Sequence, residues 1–289
     1  MESDISPERI SVVIPAHNEE KAIGTVLDEL MNVLERQTYE IIVVDDGSTD
    51  DTAKVVQEKQ AKLIQHPQNR GYGAAIKTGI KNATNDLILI IDGDGSYPAK
   101  DTLRLLEWAD KYEMVVGARI GKEVKIQLYR RPAKWFLSKL ANYLAETKIP
   151  DLNSGMRIFR RDDVEKFFNI LPSGFSFTTT LTLAYLSNDY NVKYVPIDYY
   201  ERRGKSKIKP FRDGLNFIML IVRTITYFNP LKVFLPISIV LFAIGFVILL
   251  YQGIVHRNVA DLPVMLILAA FQIGFLGLLA DLIVRRRRM

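Results

Sequence analysis

The chain has 289 residues, 48% of them hydrophobic, and a formal net charge of +5 at pH 7. The four arginines 285–288 carry all but one unit of that charge, which leaves no distributed basic surface for nucleic acid. Because the chain contains no cysteine, disulfides, thiolate metal sites and thiol nucleophiles are excluded.

In chain order, Met1–Arg9 is polar and offers no signal peptide. Ile10–Ile14 is an apolar, β-branched run that stops at Pro15, and Ile41–Val44 is another that stops at Asp45. The amphipathic stretch Glu20–Arg36 between them completes a β-α-β unit. A helix over Asp51–Gln60, a strand at Lys62–Gln65, a helix over Gly73–Asn82 and the strand Leu87–Ile91 continue the alternation. It implies a mostly parallel sheet covered by helices. Pro98–Lys111 reads as a helix and Met114–Gly117 as a strand, after which the pattern changes.

Residues Arg119–Lys134 hold six basic side chains and one acidic one, and a second basic cluster runs from Arg202 to Arg212. The helical stretches that follow, Trp135–Glu146 and Leu215–Phe228, are amphipathic. Leu215, Ile218, Met219, Val222 and Ile225 make the apolar stripe of the second, which either closes a soluble core or lies in a membrane interface. Val233–Tyr251 and Leu262–Ala280 are then free of charge for 19 residues each. Each would rise about 28 Å as a helix, close to a hydrocarbon core of about 30 Å, so a transmembrane hairpin is expected. The arginines beyond the second span place the C-terminus in the cytoplasm, and two spans return the bulk of the protein to the same side.

In an open parallel sheet, ligands bind at the carboxyl ends of the strands. The first strand ends in Pro15-Ala16-His17-Asn18-Glu19-Glu20, without the glycine-rich turn of a dinucleotide-binding oxidoreductase. The second ends in Asp45-Asp46-Gly47-Ser48-Thr49-Asp50. Ser48 and Asp50 suit helix capping, while Asp45 and Asp46 are placed to accept from a nucleobase or ribose. The strand Leu87–Ile91 delivers Asp92-Gly93-Asp94. Paired carboxylates with no adjacent base suit Mg2+ or Mn2+, which would bridge a diphosphate and neutralise a departing nucleotide.

The order Val-Ile-Pro-Ala-His-Asn-Glu-Glu, Val-Val-Asp-Asp-Gly-Ser-Thr-Asp, Asn69-Arg70-Gly71-Tyr72-Gly73 and Asp92-Gly-Asp94 resembles the inverting glycosyltransferases of family 2. The resemblance covers residues 10 to about 120. Gly117-Ala118-Arg119, Asp151-Leu-Asn-Ser154-Gly155-Met-Arg157 and Arg202-Arg-Gly204-Lys-Ser206-Lys207 look like the branch that glycosylates polyprenyl phosphates, such as dolichyl-phosphate mannose synthases. Ser96 stands where those synthases commonly have a metal-binding Gln, Lys134 where an arginine is frequent, and Thr178–Thr180 where an acidic residue is frequent.

The resemblance implies a GT-A α/β domain over residues 1–210, an amphipathic interface helix over 211–232 and a transmembrane hairpin over 233–289. It implies that Pro15, Asn18, Glu19 and Asp46 hold the nucleoside, with Ala16, Asp45, Gly71, Lys77, Asp92 and Gly93 completing the nucleotide-sugar site. Asp92 and Asp94 would hold the metal. An acceptor phosphate arrives already anionic and needs positive charge rather than a base. Arg119, Arg131, Lys134, Arg202, Ser206 and Lys207 are the candidates for that cradle, Arg119 and Arg202 the foremost; the same charges suit anionic lipid headgroups. Asp94, Asp151, Arg119 and Arg202 are the catalytic candidates, Asp151 either orienting a partner or forming a turn after Pro150. The expected partners are a UDP- or GDP-linked sugar, a polyprenyl phosphate, membrane lipids and, as an open option, a second copy of the chain. A hydroxyl acceptor is the alternative enzyme reading, and a non-catalytic nucleotide-sugar-binding membrane module the alternative from another class.

Overall fold

The computed structural model of the chain describes residues 9–34, 39–120, 139, 142–143, 146–174, 176–200, 210–256 and 260–288. Seven strands form one sheet: β1 (Ile10–Ala16), β2 (Tyr39–Asp45), β3 (Lys62–Gln65), β4 (Leu87–Ile90), β5 (Met114–Arg119), β6 (Arg157–Arg160) and β7 (Val192–Ile197). Their order is β3-β2-β1-β4-β6-β5-β7. All neighbouring pairs are parallel except those made by β6, which runs antiparallel to both β4 and β5.

The helices of the α/β unit are α1 (Ile23–Val33), α2 (Thr52–Gln57), α3 (Tyr72–Lys81), α4 (Asp101–Leu106), α5 (Arg161–Glu165) and α6 (Phe177–Ser187). They cover both faces of the sheet. Alternate residues of β1 point to opposite faces. Val12 and Ile14 therefore pack in one layer with Ile23, Leu27 and Leu30 of α1, and Val13 in the other with Ile76 and Ile80 of α3. The four residues of β4 are all buried, as expected of a strand covered on both sides.

The helices are shorter than their hydrophobic patterns. Residues 19–22 form a turn before α1, in which the Ala22 and Ile23 N–H groups donate to the Glu19 carbonyl. Around α4 the chain holds regular helix only over six residues and continues in tight turns to Lys111. Residues 135–146 lie largely outside the described residues.

Three further helices complete the chain: α7 (Pro210–Phe228), α8 (Leu231–Tyr251) and α9 (Asp261–Arg288). The buried face of α7 is Ile221, Thr224, Ile225 and Phe228, spaced as one helical stripe. Ile221 and Ile225 pack with Ile149 and Leu183, so the end of α7 closes the soluble core. Met219 and Tyr227 are exposed on its other side. The expected stripe is thus rotated: Ile225 faces inward, whereas Met219 faces out.

The helices α8 and α9 form a hairpin joined through a π-helical turn at Gln252–His256. Only 6% of the apolar window in the first and 17% of that in the second is buried inside the protein, whereas core helices are mostly buried, so the two are candidate membrane spans. Their mutual packing follows the pattern of helices in lipid, where small residues let backbones approach. A side chain at Gly277 would come 2.7 Å from Phe234 Cβ, and one at Gly245 would meet Leu266 and Ile267. Ser238 Oγ donates to the Ala270 carbonyl at 2.8 Å, satisfying a hydroxyl that hydrocarbon cannot. Lys232, at the base of α8, pairs with Glu146 at 2.9 Å and ties the hairpin to the soluble unit.

Candidate active site

The carboxyl ends of β1, β2, β4, β5 and β7 and the amino end of β6 all open on one edge of the sheet. The first two are joined by their loops. Asn18, in a left-handed conformation (φ 58°), accepts from the Thr49 N–H at 2.8 Å, while its own N–H donates to Ser48 Oγ at 2.9 Å. The Glu19 N–H donates to Thr52 Oγ1 at 2.8 Å. Ser48 thus ties the two loops together instead of capping a helix, whereas Asp50 does both, accepting from the Glu20 N–H across the loops and from the Thr52 N–H at the start of α2. Asp45 Oδ1 accepts from the Ser48 N–H at 3.0 Å, which shapes the turn.

Asp46 is the centre of this half of the site. Its Oδ1 accepts from His66 Nδ1 at 2.6 Å and from the Arg70 N–H at 2.9 Å, and its Oδ2 from the Gly71 N–H at 2.8 Å. In the tautomer that this donation requires, His66 Nε2 accepts from Thr78 Oγ1 at 2.9 Å. Burial opposes ionisation of Asp46, but these donors outweigh it and hold the carboxyl below its usual range. Among the described residues Oδ2 accepts only from Gly71, which leaves a lone pair for a ligand donor. His66 carries no motif signal except that it precedes Pro67 and the Asn69–Gly73 segment, and sequence reasoning missed it.

Gly71 takes φ 99°, and a Cβ there would lie 2.5 Å from the Ser173 carbonyl oxygen, so this turn into α3 admits only glycine. Gly93 is buried, with Ile14, Pro15 and Ile23 around it. Lys77 lies apart from the strand ends in its contacts: its Nζ donates to the Phe168 carbonyl at 2.9 Å and also to that of Leu171. Burial, followed by repulsion from Lys81, lowers its pKa. We read Lys77 as a brace between α3 and the turn after α5 rather than as a donor ligand.

Beyond β4, Asp94 is 7% exposed, and its Oδ1 accepts from both the N–H and the Oγ of Ser96, at 3.0 and 2.5 Å. Ser96, which replaces a metal-binding Gln of the resembling synthases, thus orients the neighbouring carboxylate. Asp92 Oδ1 accepts from Tyr72 Oη at 2.8 Å. Gly155 lies flat against the same carboxylate, since a Cβ there would come within 2.6 Å of both Cγ and Oδ1. The Gly155 N–H donates to Tyr97 Oη at 2.7 Å. Among the described residues no third His, Cys, Asp or Glu joins these two. The pair therefore fits Mg2+ or Mn2+, hard ions that take one or two carboxylates and fill the remaining positions with phosphate and water.

The other half of the edge is built by the chain entering β6. Arg119 and Asp151 form a two-pronged pair: Asp151 Oδ2 accepts from Arg119 Nε at 2.7 Å and Oδ1 from Nη2 at 2.9 Å. Oδ2 also accepts from the Arg119 N–H and Oδ1 from the Asn153 N–H. Burial works against the charge on Asp151, yet these bonds hold its carboxyl below the usual range. The Arg119 guanidinium also stacks 5.0 Å from the Tyr199 ring, which meets Tyr97 edge-on at 5.2 Å. The Nη1 edge takes no part in the Asp151 pair and can bind an anion. Behind this loop the fully buried Arg157 donates to the Leu152 and Ser154 carbonyls and to Thr182 Oγ1. Thr179 Oγ1 donates to Asn153 Oδ1. The threonines at 178–180 thus meet the loop through a hydroxyl where an acid is frequent. Arg131, Lys134, Arg202, Ser206 and Lys207 lie outside the described residues.

The sequence matches glycosyl transferase family 2 over residues 11–168 and the GtrB C-terminal hairpin over residues 229–285. It is 32% identical over 211 residues to a dolichyl-phosphate hexose transferase of Haloferax volcanii, covering 71% of this chain and 89% of that protein. It is also 30% identical over 220 residues to the low-salt glycan biosynthesis hexosyltransferase Agl6 of the same organism. That match covers 74% of this chain but only 52% of the length of Agl6. Among solved structures, glucosyl-3-phosphoglycerate synthase from Mycobacterium tuberculosis with Mn2+, UDP-glucose and phosphoglyceric acid shares the fold. Its TM-score is 0.60 at 21% identity, over 75% of this chain and 80% of that one. With a GT-A-like α/β sheet, an acidic β4 terminus and a family match over more than half of its length, the chain belongs to glycosyl transferase family 2.

Proposed function

We propose that this protein is a metal-dependent, inverting hexosyltransferase that moves a sugar from a UDP- or GDP-linked donor to a polyprenyl phosphate at the cytoplasmic face of a membrane. The observation that carries the reading is the contact of Gly155 with the Asp92 carboxylate. The loop that orients Arg119 through Asp151 is the same loop that touches the acidic terminus of β4. An anion-binding arginine and one carboxylate of the cation-binding pair thereby meet the same short segment. Such a site suits two phosphorylated reactants rather than a neutral hydroxyl acceptor. The dolichyl-phosphate activity named for the Haloferax relative and the exposed apolar hairpin support a lipid-linked acceptor.

In this reading Asp46, the Asn18–Glu19 turn and the Pro15–Ala16 strand end receive the nucleoside, and Asp92 and Asp94 hold the divalent ion. When bound, the ion supplies positive charge against the diphosphate leaving group. Arg119 presents its Nη1 edge to the acceptor phosphate, and Arg202 and its basic neighbours extend that cradle. Asp151 already accepts four hydrogen bonds and has a depressed pKa, so it orients Arg119 and does not take a proton. An acceptor phosphate oxygen attacks the anomeric carbon as its bond to the nucleotide breaks on the opposite side, which inverts that carbon.

The test is to supply purified protein with Mg2+ or Mn2+, UDP- and GDP-sugars and a short polyprenyl phosphate, then follow nucleotide release and lipid product by mass spectrometry. One donor is expected to give a polyprenyl-phosphate sugar that the Asp94→Asn variant does not make. Nucleotide release with no lipid product from any donor would sink the phosphate-acceptor reading and favour a hydroxyl acceptor.

A further inference from the structure

Tyr199 stands outside the motifs read from the sequence, yet the Arg119 guanidinium lies over its ring, 5.0 Å from the centroid. The sheet puts it there. β7 pairs with β5 in a register that sets Ile197 beside Arg119, so the chain two residues further on passes the same rim. Just beyond, the Tyr200 N–H donates to the Ser96 carbonyl at 3.0 Å. Tyr199 is thus held between a strand pair on one side and a backbone hydrogen bond on the other. Its side chain packs against the core of one sheet face and meets Tyr97 edge-on, at 5.2 Å with 71° between the ring planes. Tyr97 is 3% exposed and its Oη accepts the Gly155 N–H at 2.7 Å, so the support behind Tyr199 is itself fixed.

This packing completes what Asp151 begins. Two N–H···O bonds, from Nε and Nη2, set the guanidinium in line with the Asp151 carboxylate. They resist tipping about the line through the two oxygens only weakly, because an sp2 oxygen accepts over a broad range of directions. A ring packed against the group opposes that motion. It does so without removing what an incoming anion needs: the π face attracts the cation, but it takes none of the N–H donors and leaves the charge uncancelled. A second carboxylate in place of the ring would consume donors and cancel the charge.

We propose that Tyr199 is a positioning residue for the acceptor half of the site, its ring keeping the Arg119 guanidinium in the orientation that meets an acceptor phosphate. The inference rests on Arg119 being an acceptor-phosphate ligand, as in the function proposed above, and the experiment separates the two claims. Transfer to a short polyprenyl phosphate by the full-length protein is measured with the nucleotide sugar that gives product, and kcat and the KM for each substrate are determined. The wild type, Tyr199→Phe, Tyr199→Leu, Tyr199→Met and Arg119→Gln are compared, together with the double variant of Tyr199→Leu and Arg119→Gln. Thermal melting checks the fold of each. Leu and Met both remove the ring, so the comparison does not depend on one of them folding.

Tyr199→Leu and Tyr199→Met are expected to raise KM for the polyprenyl phosphate about fivefold, the scale of a partly desolvated cation–π contact, and to leave KM for the nucleotide sugar within about twofold. A merely structural loss would leave fewer active molecules and lower kcat without moving either KM. Tyr199→Phe keeps the ring and is expected to recover most of the acceptor affinity, and Tyr199→Leu should add nothing to Arg119→Gln. An unchanged acceptor KM in the Leu and Met variants, a rise of equal size in KM for the nucleotide sugar, a Phe variant no better than Leu, or additive losses with Arg119→Gln would each overturn the role of Tyr199. An acceptor KM unchanged in Arg119→Gln, or a wild type that makes no lipid-linked product, would overturn the reading on which the inference rests, and the inference with it. Loss of cooperative melting in both the Leu and Met variants would also overturn it, because the ring would then be holding the fold rather than Arg119.

Discussion

Replacing Asp151 by Asn separates orientation from proton transfer, because the substitution keeps shape and removes only charge and one acceptor oxygen. Asp151 accepts from the Arg119 N–H and Nε on one oxygen and from Arg119 Nη2 and the Asn153 N–H on the other. Whichever way an Asn amide is turned, its NH2 faces two of those four donors. Two bonds are lost at roughly 1–1.5 kcal/mol each, so the variant should be about 2–3 kcal/mol less stable. That is less than the ~3–5 kcal/mol of breaking a buried ion pair outright, because Asn retains half the contacts. If the whole loss appears as misplacement of Arg119 in the transition state, kcat/KM falls roughly 30- to 150-fold. Transfer from nucleotide sugar to polyprenyl phosphate measures this, with UDP or GDP affinity measured beside it and expected to hold. Because Asp151 acts through Arg119, the double variant with Arg119→Lys should be no worse than Arg119→Lys alone. Independent, additive losses, or activity regained at high pH, would falsify the orienting role and make Asp151 a base.

Gly155→Ala should leave the sheet intact but push the Asp92 carboxylate aside, since the added carbon would sit 2.6 Å from its Cγ; activity should fall at least tenfold and rise again with added Mn2+, and an unaffected enzyme would refute the contact. Stability should depend on pH at the acid end. Asp46 and Asp151 both have folded pKa values below their ordinary 3.8, so their contribution is complete above that value and is lost as pH falls through the folded values. The melting temperature should accordingly drop below about pH 3.8, and Asp46→Asn should flatten that drop; identical profiles would count against it. Because the chain lacks cysteine, topology can be read by single-site labelling. Gly253→Cys at the open turn of the hairpin should react with an impermeant maleimide from outside intact cells, and Met289→Cys only after they are permeabilised. The reverse pattern would place the catalytic unit on the outer side.

Periodicity revealed the first half of the sheet well. Ile10–Ile14, Ile41–Val44 and Leu87–Ile91 are long, β-branched and buried on both faces, and each appears as a strand within a residue or two of its expected bounds. Met114–Gly117 was also read as a strand and is the start of β5, but the last two strands in the chain were not legible. β6 is four residues reading Arg-Ile-Phe-Arg and β7 is interrupted by Pro196, so neither carries an apolar run, although both complete the sheet through long-range pairing. The strand-end acids were visible because the sheet edge is polar where a core would be apolar. The roles of His66, Tyr72 and Tyr97 were not, because a single His or Tyr looks the same in sequence whether it braces a carboxylate or fills a core.

The reversed direction of β6 has a consequence for how the molecule can be altered. The chain leaves β5 at Arg119 and comes back before β6 at Asp151, and those two ends are fastened by hydrogen bonds within 3.0 Å of each other. Everything between them starts and finishes on the same rim, so its length is uncoupled from the registry of the strands. Closing a longer or shorter loop between fixed ends changes the free energy by only about 0.6 kcal/mol per doubling. The strands should therefore tolerate changes of chain length between Arg119 and Glu146, whereas Glu146, paired with Lys232, and Ile149, packed against Leu183 and Ile221, have to be kept.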